Sequence, residues 1–88
     1  MVRAVVLINA GRGQIEATGE EVAGVPGVYE VYSVAGRVDL VAHIRVATND
    51  ELAEIVSGRL AKIEGVVATE TLIAFRVYSR EDSEAGFS

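Results

Sequence analysis

The sequence contains two similar helix-to-strand junctions, and this internal repeat constrains the fold more than any other feature. Val25-Pro26-Gly27-Val28 is matched 38 positions later by Ile63-Glu64-Gly65-Val66. Each junction follows a segment with helical spacing and precedes a run of β-branched residues, which is typical of a strand. The chain is therefore predicted to consist of two β-α-β halves of similar design.

The predicted elements follow the order β-α-β-β-α-β. Strands are predicted where β-branched residues are bounded by turn residues, over 1–8, 28–34, 38–46 and 66–78. A weak helix is predicted over 14–23, and a stronger one begins after Thr48, where Glu51 completes a capping box. One apolar face of the second helix is formed by Leu52, Ile55, Val56, Leu60 and Ile63. This order predicts an α+β, ferredoxin-like fold with two helices on a four-stranded antiparallel sheet.

Length and charge limit the classes of function that are open to the chain. Its 88 residues, 50% of them hydrophobic, suit one domain, predicted over 1–78, with a polar tail over 79–88 that only Phe87 could anchor. The net charge is −5 and the cations are scattered, which predicts no direct binding to nucleic acid. The absence of cysteine and of any long apolar run predicts a cytoplasmic protein without membrane contact.

Apolar residues occupy both faces of several predicted strands. In the first strand Val5 and Leu7 point away from the face shared by Val2, Ala4, Val6 and Ile8. The third and fourth strands repeat this pattern, with Val41 and Leu72 on the second face. An antiparallel sheet with helices on one side should be polar on the other if that side meets water. We therefore expect a second chain to cover it, which predicts an obligate homodimer.

Catalytic and metal-binding patterns are weak. Asp39 and His43 share a strand face, but their Cα atoms would be about 13 Å apart, beyond hydrogen-bond reach. One histidine, no cysteine and isolated carboxylates do not provide a metal-ligand set. Gly11-Arg12-Gly13 does not complete a dinucleotide-binding motif and is better explained as a tight turn. We expect neither a metal nor a cofactor.

Two short motifs have the chemistry of a small-molecule site. A predicted hairpin carries Gly36 at its tip and Asp39 at the start of the next strand, and the fourth strand includes Thr69-Glu70-Thr71. Loop N–H groups, hydroxyls and a carboxylate can together bind the carboxylate and ammonium of a free amino acid. Taken alone, the residues are explained as well by ordinary turn chemistry and by the β-propensity of threonine.

Four segments in order resemble the ligand-binding domain of the leucine-responsive regulator/AsnC (Lrp/AsnC) family, also called the RAM domain: 25–28, 34–40, 63–66 and 69–71. The resemblance extends from the first strand to the fourth. It implies a dimeric α+β barrel in which homodimers assemble into rings, octamers or decamers, and bind an amino acid between subunits. It places Ala35, Gly36 and Asp39 in the ligand site, with Thr69 and Thr71 from a neighbouring chain and Glu70 as a weaker candidate.

Two departures from the family pattern affect the expected function. Val38 stands where the family usually has an aromatic residue, and the sequence begins at the first strand, without a preceding helix-turn-helix module. The resemblance therefore implies a stand-alone effector-binding protein, not an enzyme, that regulates amino-acid metabolism or transcription indirectly, together with a full-length regulator. Two alternatives remain open: a small cofactor-free dimeric α+β barrel enzyme of the oxygenase or isomerase type, and an assembly module that has lost its ligand.

Overall fold

The computed structural model describes residues 1–80, in which four antiparallel strands form one sheet. The strands are β1 (Val2–Ala10), β2 (Val28–Ser33), β3 (Leu40–Val46) and β4 (Val66–Ile73). Their spatial order is β2-β3-β1-β4, and every neighbouring pair is antiparallel. Helix α1 (Ile15–Ala23) connects β1 to β2, and a second helical segment over 49–62 connects β3 to β4. This confirms the predicted α+β, ferredoxin-like fold.

The core lies between the helices and one face of the two central strands. Alternate residues of β1 and β3 are buried on this face, because side chains along a strand point to opposite sides in turn. They pack against α1 and the second helical segment. The buried hydrophobic set is Ala4, Val6, Ile8, Leu40, Ala42, Ile44 and Val46 from the sheet, Val22, Leu52, Ile55 and Leu60 from the helices, and Val25 from the junction after α1. Burial of each larger aliphatic side chain contributes about 1.5–3 kcal/mol.

The second helical segment begins as predicted but does not remain a regular α-helix. The hydroxyl of Thr48 accepts a 3.1 Å hydrogen bond from the backbone N–H of Glu51, which confirms the predicted N-cap. Helix α2 (Asn49–Ala53) then passes into a wider π-helical stretch over 54–59 and a short 3₁₀ turn over 60–62. Ile55 and Leu60 would lie about 140° apart on a regular α-helix. The i→i+5 turn brings them to one face, and both are buried.

The repeated junctions brace the two halves against each other. Gly27, which follows α1, has φ +100° and lies against Ile55 of the second half. Gly65, which follows the second helical segment, lies against Thr18 of α1. The carbonyl of Gly27 accepts a hydrogen bond from Arg45 N–H at 2.9 Å, and that of Gly65 accepts one from Gly11 N–H at 2.8 Å. Each half therefore closes on elements of the other.

Each predicted strand differs from the observed one at one end or both. The first strand, predicted over 1–8, is Val2–Ala10, and the second, predicted over 28–34, is Val28–Ser33. The fourth strand was predicted to reach Tyr78 but ends at Ile73. The N–H of Ala74 still bonds to the carbonyl of Arg3, but β1 begins at Val2, so it offers almost no backbone with which later residues could pair. The third strand begins at Leu40 instead of residue 38. The boundary placed at residue 78 stays a prediction, and residues 81–88 of the predicted tail, including Phe87, lie outside the described residues.

The sheet face opposite the helices carries the second apolar set that the sequence predicted. Val5 and Leu7 of β1 lie beside Val41 of β3 and Leu72 of β4, as the strand registers show. We call this surface the open face. Its β2–β3 side also carries an aromatic and basic cluster: His43 contacts Tyr29 and Tyr32 with ring centroids 5.9 and 4.9 Å away, and the Arg45 guanidinium lies 4.4 Å from the Tyr29 ring. Across residues 1–80, no helix is long and apolar enough to cross a membrane.

Candidate functional site

The loop between β2 and β3 is longer than the predicted tight turn, and hydrogen bonds attach it to β1. The N–H of Val34 bonds to the carbonyl of Asp39 at 3.0 Å, so residues 35–38 form the turn. The N–H of Asp39 then bonds to the carbonyl of Ile8 at 3.0 Å, and its carboxylate accepts a 2.9 Å hydrogen bond from the N–H of Ala10. These three contacts hold the end of the loop beside the carboxyl end of β1.

Asp39 is needed at this point because β3 provides no further backbone for β1. The β1–β3 register ends at the pair Ile8–Leu40, and the β1–β4 register shifts between Asn9 and Ala10. The N–H of Ala10 therefore has no carbonyl of β3 opposite it, and a carboxylate supplies the acceptor instead. A half-buried backbone donor without an acceptor would cost about 1–3 kcal/mol. Asp39 thus has a structural role whatever else it binds.

A shallow cleft lies where this loop approaches β4. Arg37 extends from the loop across the end of β1, and its Nη1 atom lies 3.9 Å from Oε1 of Glu70 on β4. The cleft has a volume of about 240 Å³ and is lined by Leu7, Asn9, Arg37, Val38, Ala68, Thr69 and Glu70. We call it the loop–β4 cleft. It contains one cation and one anion, three apolar residues and the polar residues Asn9 and Thr69.

The ion pair across the loop–β4 cleft is weak. The Arg37 and Glu70 side chains are 79% and 57% exposed, and 3.9 Å is too long for a hydrogen bond between them. Exposed ion pairs of this kind contribute about 0–1 kcal/mol. Both groups can therefore turn towards a ligand at little cost to the fold.

The predicted site residues do not form one cluster within a single chain. Ala35 and Gly36 are exposed at the loop tip, and a Cβ added to Gly36 would meet nothing within 4 Å. Asp39 is bound to Ala10, and Thr69 lines the loop–β4 cleft. Thr71 lies apart, in a groove between β4 and the second helical segment. The assignment of these five residues to a ligand site stays a prediction.

Arg37 lines the loop–β4 cleft but was not predicted as a site residue, and Glu70 was ranked below its neighbours. The two residues are 33 positions apart, and their proximity depends on β4 lying next to β1, opposite a loop from the other half. The sequence did contain a signal for the position of Glu70. Side chains of β4 alternate between the two faces of the sheet, and this alternation places Glu70 on the open face opposite Leu7. The long arginine side chain then spans the remaining distance. No pattern in the loop itself indicates that direction.

The core does not contain catalytic groups in the part of the chain that the structure describes. Thr18 is the one buried polar residue among residues 1–80, and no group of three His, Asp or Glu side chains lies close enough to hold a metal ion there. His43 is half-buried on the open face between two tyrosines. The space between helices and sheet is filled by aliphatic side chains.

Comparisons with known proteins agree with this architecture. A family model described as the Lrp/AsnC ligand-binding domain matches residues 3–84. An uncharacterised HTH-type transcriptional regulator of Pyrococcus furiosus is 40% identical over 62 residues, which cover 70% of this chain and 41% of that protein. Another HTH-type transcriptional regulator of the same organism is 30% identical over 77 residues, covering 88% of this chain and 50% of that one. The chain thus spans half or less of the curated relatives that it matches.

Among solved structures, a protein of Thermus thermophilus has the same fold over its whole length. The two chains superpose with a TM-score of 0.85 and are 46% identical. The similarity covers 91% of this chain and 100% of that one.

Proposed function

This chain belongs to the Lrp/AsnC family, and from that premise we propose that it is an effector-binding protein that senses a small amino acid. Its homologues are transcriptional regulators, and the matched region is their ligand-binding domain. The chain carries a net charge of −5 and its cations are scattered along the sequence, which supports the proposal that it does not bind DNA directly. We propose that it regulates amino-acid metabolism or transcription indirectly, through a full-length regulator of the same family.

The observation that carries this proposal is the loop–β4 cleft. A loop held by Asp39 and an edge strand that carries hydroxyl and acidic side chains meet there, and together they supply donors and acceptors of both charges. An amino acid needs this combination, because it presents an ammonium and a carboxylate on adjacent atoms. The cleft is shallow, so a neighbouring subunit is required to enclose the ligand. We propose that Ala35, Gly36 and Asp39 of one chain and Thr69 and Thr71 of a neighbour complete the site.

The open face supports the proposed homodimer. Leu72, Tyr29 and Tyr32 remain nearly half exposed there, and Val5, Leu7 and Val41 lie between them. Four strands about 4.8 Å apart and up to about 30 Å long outline a surface of several hundred Å². That size approaches the roughly 800 Å² per partner of a standard stable interface. We propose that two chains pack through this face and that the dimers assemble into a ring.

Thermal unfolding in the presence of each common amino acid tests the proposed function. A ligand at about 100 times its dissociation constant adds roughly 2.7 kcal/mol of stability, which raises the melting temperature visibly. A rise with one or two amino acids, at constant protein concentration, is the expected result. Equal melting temperatures across the whole panel would contradict amino-acid sensing and would leave assembly as the remaining function.

The oxygenase or isomerase alternative receives no support from the described residues. Such an enzyme needs an acid or base in an enclosed pocket between the helices and the sheet. In residues 1–80 that layer is aliphatic, and its one polar side chain is Thr18. We therefore make no second proposal.

A further inference from the structure

His43 is the one histidine of the sequence, and it lies on the surface that the proposed dimer covers. It occupies the middle of β3 on the open face and is half-buried in the isolated chain. We propose that protonation of His43 separates two chains that pack through the open face, so that the dimer dissociates as the pH falls. This inference rests on the proposed homodimer and adds a control of its assembly.

Aromatic and aliphatic groups surround the imidazole of His43. The ring centroids of Tyr32 and Tyr29 on β2 lie 4.9 and 5.9 Å from that of His43. On the other side, Val5 of β1 is its register partner. A neutral imidazole packs among such groups without penalty, and a second chain on the open face removes the water that still reaches the ring. A charged imidazole loses its hydration there, which is unfavourable unless an opposite charge replaces the water.

Permanent positive charges lie next to His43. Arg45 is two residues along the same face of β3, and its guanidinium lies 4.4 Å from the Tyr29 ring. Arg3 of β1 is directly opposite Arg45 in the strand register. Like charges in opposite positions of antiparallel strands repel each other. A proton on His43 places a third positive charge beside this pair.

The carboxylate that the register places opposite His43 is that of Glu30, across the irregularity in β2. Its Oε1 atom accepts a hydrogen bond from the Tyr32 hydroxyl at 2.8 Å. Glu30 can therefore offset one positive charge of this group, and part of its capacity is already used by Tyr32.

The charge of the whole open face leads to the same result. The four strands carry two cations on it, Arg3 and Arg45, and two carboxylates, Glu30 and Glu70. With His43 neutral, these charges balance in each chain, whatever the register in which two chains pack. Protonation of His43 leaves one uncompensated positive charge per chain, and a symmetric dimer contains it twice. Covering the face therefore favours the neutral form of His43.

The composition isolates this response from other titrations. The sequence has one histidine and no cysteine. Between about pH 5.5 and pH 7, histidine is the side-chain type that ordinarily changes its charge, whereas carboxylic acids, tyrosine, lysine and arginine do so outside this range. A change of assembly within this range therefore reports on His43.

Sedimentation velocity of the intact protein at about pH 7 and about pH 5.5 tests the proposal. Ionic strength is kept constant, and micromolar protein concentrations are varied to obtain the dissociation constant. At the lower pH each chain has to release a proton in order to associate, so we expect the dissociation constant to rise at least about tenfold. Circular dichroism at both pH values should show that the separated chains remain folded.

Two uncharged replacements connect the response to His43. His43→Gln should remain a dimer at both pH values, with less than about a twofold change in the dissociation constant. His43→Phe keeps a planar ring between the tyrosines and provides the same test if glutamine disturbs the packing. Arg45→Gln should reduce the response because it removes the neighbouring cation. Lys62→Gln removes an exposed cation of the second helical segment and should respond as the parent does.

The outcomes separate this inference from the proposed dimer. If the parent protein is equally dimeric at both pH values, or associates more tightly at the lower one, the control by pH is wrong while the dimer stands. Equal dissociation of the parent and of both His43 variants would exclude His43 as the cause, and dissociation with loss of the circular dichroism signal would show unfolding instead. A parent protein that is monomeric at about pH 7 would overturn the dimer and this inference together.

Discussion

The backbone N–H of Ala10 donates a 2.9 Å hydrogen bond to the carboxylate of Asp39, 29 positions away. This bond joins the end of a central strand to a loop from the opposite side of the sheet. The family resemblance assigns Asp39 to the ligand, whereas the structure shows it holding the loop that forms the cleft. Substitution at this position should therefore change both stability and ligand response.

Asp39→Ala should lower the free energy of unfolding by about 1–3 kcal/mol, because the half-buried N–H of Ala10 loses its acceptor. Asp39→Asn should cost less, since the amide oxygen still accepts. Urea denaturation of both variants measures the difference. We also expect Asp39→Ala to abolish the amino-acid response while the dimer stays intact. A parental urea midpoint for Asp39→Ala would contradict the structural role, and dissociation to a monomer would contradict its place in the ligand site.

Gly65→Ala should destabilise the protein by about 1–3 kcal/mol, the usual cost of overpacking. The added Cβ would collide with the side chain of Thr18 and approach Gln14. The φ angle of Gly65 is not positive, so the cost is steric rather than conformational. Thermal unfolding of the single variant and of Gly65→Ala with Thr18→Ala measures it, and we expect the second change to recover part of the loss.

Gly36→Ala provides the matched control for that substitution. Its Cβ would meet nothing within 4 Å, and its φ is also not positive. Restricting the unfolded chain should then leave stability unchanged or raise it by up to about 1 kcal/mol. Equal destabilisation by Gly36→Ala and Gly65→Ala would show that the contact with Thr18 is not the cause.

Leu72→Asp should dissociate the proposed dimer. Leu72 is 49% exposed on the open face, so the isolated chain tolerates a charge there, whereas a covered face would bury it without a partner. An uncompensated buried charge costs about 3–5 kcal/mol. Sedimentation velocity at micromolar concentration should detect a monomer, and circular dichroism should show an intact fold.

Ala61→Asp is the control for the charge itself, because Ala61 is exposed in the second helical segment, away from the open face. It should sediment as the parent protein does. A Leu72→Asp variant that also keeps the parental sedimentation coefficient would exclude the open face as the dimer interface.

Tyr32 should lose its proton at higher pH than an ordinary tyrosine. Its hydroxyl donates a 2.8 Å hydrogen bond to Glu30, and this bond, with the negative charge of Glu30, raises the pKa of Tyr32. A raised pKa in the folded state stabilises the protein below about pH 10, and the contribution is lost as the pH rises through the folded value. Phenolate absorbance of Tyr29→Phe with Tyr78→Phe follows Tyr32 alone. Adding Glu30→Gln to this double variant should lower the pKa of Tyr32, and an unchanged Tyr32 titration would contradict Glu30 as the cause.

Most of the fold could be predicted from the sequence because its signals are local. The capping box at Thr48, the two glycine junctions and the alternation of β1 and β3 each depend on residues close in the chain. The end of β4 could not be predicted in this way. Residues beyond Ile73 keep strand-like composition, but β1 has no backbone left to pair with them. The π-helical stretch could not be predicted locally either, because it depends on packing Leu60 into the core beside Ile55.

The candidate site could be predicted only in outline. The sequence identified the loop and the start of β4 as a pair of motifs, and the structure brings Arg37 and Thr69 of those motifs to one cleft. It did not indicate that Asp39 would be used by Ala10, or that Thr71 would face a different groove. The contact of Asp39 and the orientation of Thr71 both depend on the order of the strands and on where one strand extends beyond its neighbour. Neither is a local property of the sequence.

The reciprocal bracing by Gly27 and Gly65 has a consequence for synthesis on the ribosome. β1 lies between β3 and β4, so neither strand that pairs with it belongs to its own half. When the first 33 residues have emerged, β1 and β2 are present but are not neighbours, and Ile55, against which Gly27 packs, has not emerged. The nascent first half therefore has no sheet to join until β3 emerges and takes its place between β2 and β1. Folding in the cell then depends on pairing β1 with strands that are distant in the chain, and its rate is limited by closing these long loops.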